Sequence, residues 1–545
     1  MLSSSAQAAS SFTGRRRWSF LAFLFALPTV AMLIVVLGGL WGTAPDDAEH
    51  LSRYVLPRVI PNTLSLLVLV VVASSVLGTA AAALIEFCEF AGRRVLQVLL
   101  LLPLSFPGYV LAFIYLGLFD FTGPIQTMVR EQFGVSLAGR VGTLPSVVFV
   151  LTLALYPYVY MLARAGFASQ GRRAFEVASS CGVPPMQAFR RAVLPLSLPW
   201  IAAGAMLVAM ETLADFGAVS VFNYDTFTTA IYKTWFGLFS LQGALRLASL
   251  LLIIVAVLVV IERFFAVRRR RTTPFGAPTR FPLTRGRALG AIAFLGLLVL
   301  AGVLVPFVQL IVWSFGDGIG EWGSNYWSLI RSSLVLGGAS AVCIVAAAFM
   351  LSFAQRRHPN IVTRLATRIA GLGYALPGTI LAVGLFIAVT KTGDAVTGVL
   401  GESPVIRSVF GAGLVVTFLA YLVRFTAVAL SALENGFLRV PPSLDDASRQ
   451  LGRDGVGLLW FVHRPLLRSS GLAAMLLVFV DVLKEMPITL MTRPFGWDTL
   501  AVRVFERTAE AQWAEAAPAA LLIVVVGLLP VMVLTKNVSY AAYDS

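Results

Sequence analysis

Charge is scarce in this chain. Asp, Glu, Lys and Arg supply 13% of its 545 residues while hydrophobic residues supply 58%, against the roughly 25% charged of a soluble globular domain. That shortage excludes an ordinary water-soluble fold. Cysteine is nearly absent, and Cys88, Cys181 and Cys343 form no CxxC pair, which excludes a disulfide framework and a zinc knuckle. The histidines, His50, His358 and His463, are as scattered, so an HExxH helix or an imidazole-rich metal site is excluded too. The lysines at 233, 391, 484 and 536 follow Tyr232, Thr390, Leu483 and Thr535. A P-loop needs glycine immediately before its lysine. The chain therefore has no ATP site of that kind, and the sequence shows no nucleophile, base and orienting group that would mark an enzyme.

What is present is a series of apolar runs long enough to span a bilayer. The first follows Arg15, Arg16 and Arg17 and extends from Trp18 to Trp41, longer than the 7–15 residues of a signal-peptide core. It reads as a retained anchor. About twelve spans are expected, beginning near Ser19, Asn62, Arg94, Thr143, Ser197 and Leu241, then near Arg287, Ser332, Arg368, Val409, Gly471 and Ala514. The predicted fold is an all-α polytopic membrane protein.

The net charge of +15 follows from topology rather than from nucleic-acid binding, because basic residues collect in loops held on the cytoplasmic side. With the N-terminus inside, about 29 Lys and Arg fall in cytoplasmic segments and about 12 outside. Both termini are then expected in the cytoplasm. The expected organisation is a tail over 1–18, a first half over 19–266, a basic linker over 267–286, a second half over 287–537 and a tail over 538–545.

The halves repeat each other at an offset of about 270 residues. Asn62-Thr63-Leu64 meets Ser332-Ser333-Leu334, Pro107-Gly108 meets Pro377-Gly378, Gly182 meets Gly452, Pro195 meets Pro465, Glu211 meets Asp481, Asp215 meets Glu485 and Thr229 meets Thr499. An even number of spans in each half makes the repeat parallel, two six-helix bundles entering the membrane in the same sense.

A polar stretch lies between the fourth and fifth spans of each half, near 172–195 and 442–465. Each has an acid, Glu176 or Asp446, six residues before a glycine, and a proline thirteen after it. The residues before the glycine suit a short helix that Gly182 or Gly452 ends in a left-handed turn. After Gly182, Pro184 and Pro185 delay the next helix. The expected product is a helix–turn–helix on the cytoplasmic face. A pair of amphipathic linkers without a partner is the plainer alternative.

This spacing resembles the EAA loop of ABC-importer membrane subunits. Glu176, Ala178, Gly182, Leu194 and Pro195 match in the first copy, with Val177 departing; in the second, Ala447, Gly452 and Pro465 match, with Asp446 for the glutamate and Arg464 in place of leucine. The stretches from Glu211 to Ser220, Phe227 to Tyr232, Asp481 to Pro487, Arg493 to Phe495 and Asp498 to Ala501 are similar to the permeases of bacterial iron(III) ABC importers. The resemblance implies a permease in the bacterial inner membrane with both halves of the pathway in one chain. It also implies two copies of a cytoplasmic ATPase on the loops, binding ATP and magnesium that this chain does not, and a periplasmic binding protein delivering iron(III).

Acids recur where they should be rare. Glu211 and Asp215, like Asp481 and Glu485, are four residues apart in apolar runs, so each pair shares a helix face. Intramembrane carboxylates usually face a bundle interior or an aqueous path. One reading makes the four the lining of a path for a cationic cargo, with transient contact to iron, since carboxylate oxygen suits hard cations. The other makes them packing partners for backbone and hydroxyl groups, with Lys484 paired to Asp481 or Glu485. Rival functions are a thiamine or phosphonate permease, with Trp235, Trp497 or Trp513 stacking on an organic cation, and a proton-coupled secondary transporter using the same acids.

Overall fold

The computed structural model describes residues 2–41, 49–134, 144–268, 280–401, 403, 404, 410, 413–453 and 455–540. Most of the basic linker and the last five residues therefore lie outside the described residues. Lipid offers no partner for a backbone N–H or C=O, so an apolar chain must close its hydrogen bonds within helices. The spans are α1 (Trp18–Gly38), α2 (Leu51–Phe87), α3 (Gly108–Phe133), α4 (Leu144–Ser169), α5 (Pro185–Ala214), α6 (Leu241–Phe264), α7 (Arg285–Phe315), α8 (Tyr326–Arg357), α9 (Gly378–Leu400) and α10 (Gly413–Phe437). They continue with α11 (Arg468–Lys484), which follows Val456–Leu466 across a 78° bend, and α12 (Trp513–Met532). This is an all-α polytopic membrane protein, with 11 helices among the described residues long and apolar enough to span a bilayer, or 12 with the bent pair counted as one.

Two spans begin later than the apolar runs suggest. Hydropathy is continuous from Arg94 and from Arg368, yet each run divides into a short helix (Arg93–Leu99 or Ile361–Ala370), a 3₁₀ turn (Leu102–Ser105 or Gly371–Ala375) and then α3 or α9. Pro107 and Pro377 precede the first residues of those spans with ψ of 145° and 141°. Proline forces the chain out of the helix before it and starts the next one cleanly. Among the described residues the strands are β1 (Cys88–Glu89) and β2 (Phe281–Pro282), a parallel pair that ties the end of α2 to the segment entering α7.

Contacts divide the chain into two compact units. One gathers Met1–Ala44, Phe239–Ser249 and Asn325–Val502; the other gathers Pro45–Leu238, Leu250–Ser324 and Arg503–Ser545. The first helix thus packs with helices of the second half: Ser19 Oγ accepts from Asn360 Nδ2 at 2.9 Å, and Trp18 meets Phe353 edge-on at 5.0 Å. In the other unit, α7 packs with helices of the first half, where Tyr115 donates to the Ala301 carbonyl at 2.6 Å. Small residues set the closest helix approaches. A Cβ on Gly78 would lie 2.8 Å from the Tyr156 carbonyl oxygen, and one on Gly204 2.7 Å from the Val159 Cα. These two glycines let α2 and α5 close on α4.

Candidate functional site: two capped helix breaks and two helix–turn–helix segments

Helix α5 stops at Ala214 and α11 at Lys484. The residue after each is an extended carboxylate, Asp215 with ψ 126° and Glu485 with ψ 115°. A short helix follows each, Gly217–Val221 and Pro487–Thr492. Asp215 Oδ1 accepts from the Val219 N–H at 3.1 Å, and Glu485 Oε1 accepts from the Ile488 N–H at 3.1 Å. An acceptor beside the free N–H groups of a new helix supplies what the break removed. The carbonyls of the two acids are also taken, by Thr228 Oγ1 at 2.7 Å and Thr489 Oγ1 at 2.9 Å.

Each cap sits against the first residue of a proline-started span. A Cβ on Gly108 would be 3.2 Å from Asp215 Oδ2, and one on Gly378 2.8 Å from Glu485 Oε1. A side chain at either position would press on the carboxylate, more closely at Gly378 than at Gly108. Glu485 has one partner that Asp215 lacks, Arg424, whose Nε is 3.2 Å from Oε2 and whose Nη1 donates to the Leu376 carbonyl at 3.1 Å. Of the two readings left open by the sequence, the packing one describes the contacts that Asp215 and Glu485 make here. Glu211 and Asp481 are half-buried one turn earlier. Among the described residues no group of three or more His, Cys, Asp or Glu could hold a metal ion. Thr63 and Ser333, paired by the repeat, also have matching tasks: their hydroxyls accept from the Phe227 and Leu500 N–H groups at 3.3 and 2.8 Å.

The polar stretches form the same turn twice. A helix over Arg172–Ser180 ends at Gly182, φ +77°, and one over Pro442–Gln450 ends at Gly452, φ +75°. In the first, the Gly182 N–H reaches the Ser179 carbonyl and the Val183 N–H the Ala178 carbonyl, both at 3.0 Å; in the second, Gly452 reaches Arg449 and Arg453 reaches Ser448, both at 3.0 Å. This is a glycine-terminated helix end in which φ > 0 lets the chain reverse. A second short helix follows, Pro185–Ala188 or Val456–Leu458, then a π-turn, Phe189–Val193 or Leu459–His463. Glu176, Gly182 and Pro195 are exposed and Ala178 and Leu194 half-buried; Asp446, Ala447, Gly452 and Pro465 are exposed. Large apolar side chains are exposed beside them: Val177 and Met186 in the first copy, Leu451, Val456 and Trp460 in the second.

The two segments rest on different chemistry. Under the first, Phe87 lies 5.5, 5.4 and 6.0 Å from Phe167, Phe175 and Phe189, and Phe175 meets Phe281 at 5.0 Å. Under the second, Asp445 stands at the repeat position of Phe175, and its Oδ2 accepts from Arg356 Nε at 2.8 Å. Arg356 also donates to the carbonyls of Phe437 and Val440 at 2.8 and 2.9 Å. His463 is fully buried with Nε2 3.2 Å from Asp445 Oδ1, between the rings of Phe353 and Phe437. Burial lowers the His463 pKa, the nearby Asp445 charge raises it, and Arg356 lowers it, leaving it below the ordinary histidine value. Sequence reasoning missed this trio. Of the adjacent acids it chose Asp446, which is exposed and pairs with Arg449 at 2.9 Å, while Asp445 one position earlier is the buried one.

Comparison with known proteins agrees with this architecture. Residues 74–273 match the family described as the binding-protein-dependent transport system inner membrane component. This match and the architecture support a permease of the binding-protein-dependent ABC transport class. Within that class it is similar to iron(III) permeases: it is 27% identical to an Fe(3+)-transport system permease protein of Haemophilus influenzae over 95% of this chain and 97% of the relative. It is 21% identical to a ferric transport system permease protein of Actinobacillus pleuropneumoniae over 84% of this chain and 68% of the relative. A Salmonella typhimurium protein whose name assigns it to 2-aminoethylphosphonate transport is 22% identical over 38% of this chain and 74% of its own length.

Proposed function

We propose that this chain is the permease of an iron(III) importer, with both halves of the pathway in one polypeptide. The carrying observation is the helix–turn–helix built twice with the same glycine turn and with exposed apolar side chains around it. Exposed apolar residues clustered on a polar segment suit a protein partner. Two copies of a separate ATPase, holding ATP and magnesium, dock on 172–195 and 442–465. A binding protein outside the bacterial inner membrane delivers the cargo, and both termini face the cytoplasm. The near-full-length likeness to iron(III) permeases supports the cargo. Transient contact of the cargo with Glu211, Asp215, Asp481 and Glu485 belongs to this reading, since carboxylate oxygen suits hard cations. A pathway that opens alternately to each side needs two packings of comparable free energy.

The test is uptake of radioactive iron(III) in iron-starved cells lacking the chain and in complemented cells, with labelled thiamine and 2-aminoethylphosphonate in parallel. Iron uptake that requires the ATPase is the expected result. Uptake of only an organic solute would replace the cargo, and uptake that survives loss of the ATPase but collapses with the proton gradient would replace the energy source. Gly182→Asp forces a side chain onto the φ +77° position and is expected to abolish coupled uptake while the protein still inserts. Unchanged uptake would remove the docking role of that loop.

A further inference from the structure

A cavity of about 530 Å³ opens where α8 and α10 end, lined by Ser352, Gln355, Arg356, Arg364, Glu434 and Leu438 among others. That volume lies within the roughly 300–1,000 Å³ of small-molecule sites. Its polar groups are not matched to one another. Ser352, only 5% exposed, has a buried Oγ with no hydrogen-bond partner, and Gln355 Oε1 is buried and unpartnered as well. A buried polar atom without a partner keeps its desolvation cost uncompensated, so both are placed to gain from a ligand.

The first half explains why the carboxylate is left over. There Glu86 and Arg164 form an ion pair at 3.6 Å with Glu86 buried. Arg356 and Glu434 stand at the same repeat positions with the charges exchanged. Arg356, however, is committed to Asp445 and to the carbonyls of Phe437, Val440 and Pro441. Among the described residues Glu434 consequently has no cation within ion-pair distance. Across the cavity, Arg364 sits on the Ile361–Ala370 helix, also without a described ion-pair partner. In the first half, moreover, Glu89 pairs with β2 and Arg280. Pro359, at its repeat position, instead borders the open cavity.

We propose that this cavity binds the headgroup of a zwitterionic phospholipid carrying a phosphate and a primary ammonium, that is, phosphatidylethanolamine. The ammonium has three N–H donors, and Glu434, Gln355 Oε1 and Ser352 Oγ offer three acceptors. Arg364 supplies the planar donor set that suits a phosphate. The surroundings suit acyl chains, since Ile361, Leu365 and Leu438 are 80%, 55% and 76% exposed where two spans end. A helix whose exposed face mixes arginine with large aliphatics belongs at a membrane interface. A trimethylated headgroup fits the charge but has no N–H to give, and a glycerol headgroup brings no cation.

The experiment is native mass spectrometry of the delipidated full chain offered equal amounts of phosphatidylethanolamine, phosphatidylcholine and phosphatidylglycerol. Phosphatidylethanolamine is expected to be retained about tenfold better than the other two, a difference equivalent to about 1.4 kcal/mol. Glu434→Gln is expected to erase that preference, and Arg364→Gln to lower phosphatidylethanolamine retention severalfold with an unchanged melting temperature. The exposed Arg364 keeps the test decisive if Glu434→Gln lowers the yield. Equal retention of the three lipids, or a preference indifferent to both substitutions, would overturn the site. Soluble phosphoethanolamine displacing the lipid at equal concentration would overturn the lipid assignment in favour of a free phosphate ester.

Discussion

The two helix–turn–helix segments share a backbone and differ in what lies beneath it. The first is seated on aromatic rings, Phe87, Phe167, Phe175 and Phe189; the second is seated on Arg356, Asp445 and His463. An aromatic seat gains from area removed from water and is indifferent to proton and salt. An ionic seat gains only while every member is present, because removing one leaves a desolvated charge. The comparison shows that the turn is specified by its glycine and helix ends, while the interior is free to use either chemistry. It also means that equivalent loops respond differently to the same perturbation.

The strongest way to break the comparison is Asp445→Ala, which strips Arg356 of its counterion and leaves the His463 imidazole beside an unpaired guanidinium. A loss of about 3–5 kcal/mol is expected from breaking a buried pair, read as early thermal unfolding and as proteolytic cleavage at the second loop while the first stays protected. Equal protection of both loops would show that the trio contributes nothing. Phe175→Ala, the same position in the first copy, removes a ring that is 6% exposed and should cost about 3 kcal/mol. Its melting shift should be insensitive to salt between low and high ionic strength, whereas that of Asp445→Ala should shrink as salt screens the stranded charge.

The smallest expected effect separates the seats by pH. The His463 pKa lies below the ordinary histidine value in the folded chain, so the unfolded chain binds the proton first as pH falls. Stability from this seat is therefore fully present above the ordinary histidine range and declines as pH drops through it toward the lowered value. Proteolysis between pH 7.5 and 5.5 should expose the second loop and leave the first unchanged. His463→Gln should flatten that response, and a response that survives the substitution would assign it to another group.

Much of this fold is legible in the sequence because each feature is local. Apolar runs mark the spans, Pro107 and Pro377 mark the true starts of α3 and α9, and Gly182 and Gly452 mark the turns. The two late starts were not legible from hydropathy, which cannot distinguish a helix from an apolar 3₁₀ turn such as Leu102–Ser105. For the four acids the residue pattern shows where they stand and leaves two roles open. Asp215 and Glu485 stand out as acids in apolar runs, yet their capping of the next helix depends on the break, which the residue pattern does not encode. The ionic seat was hidden for two reasons. Arg356 and Asp445 are 89 residues apart, and motif spacing selects Asp446, whose side chain points about 100° around the helix from its neighbour.

The capped breaks after α5 and α11 carry a kinetic consequence. A helix interrupted in hydrocarbon without a cap would have to strand N–H groups each time its two parts changed angle, and every stranded group would raise the barrier. Asp215 and Glu485 keep those groups bonded within the short helix that follows. Rotation about the extended residue then leaves these caps in place, and what it has to release instead is the Thr228 bond to the Asp215 carbonyl and the Arg424 ion pair to Glu485.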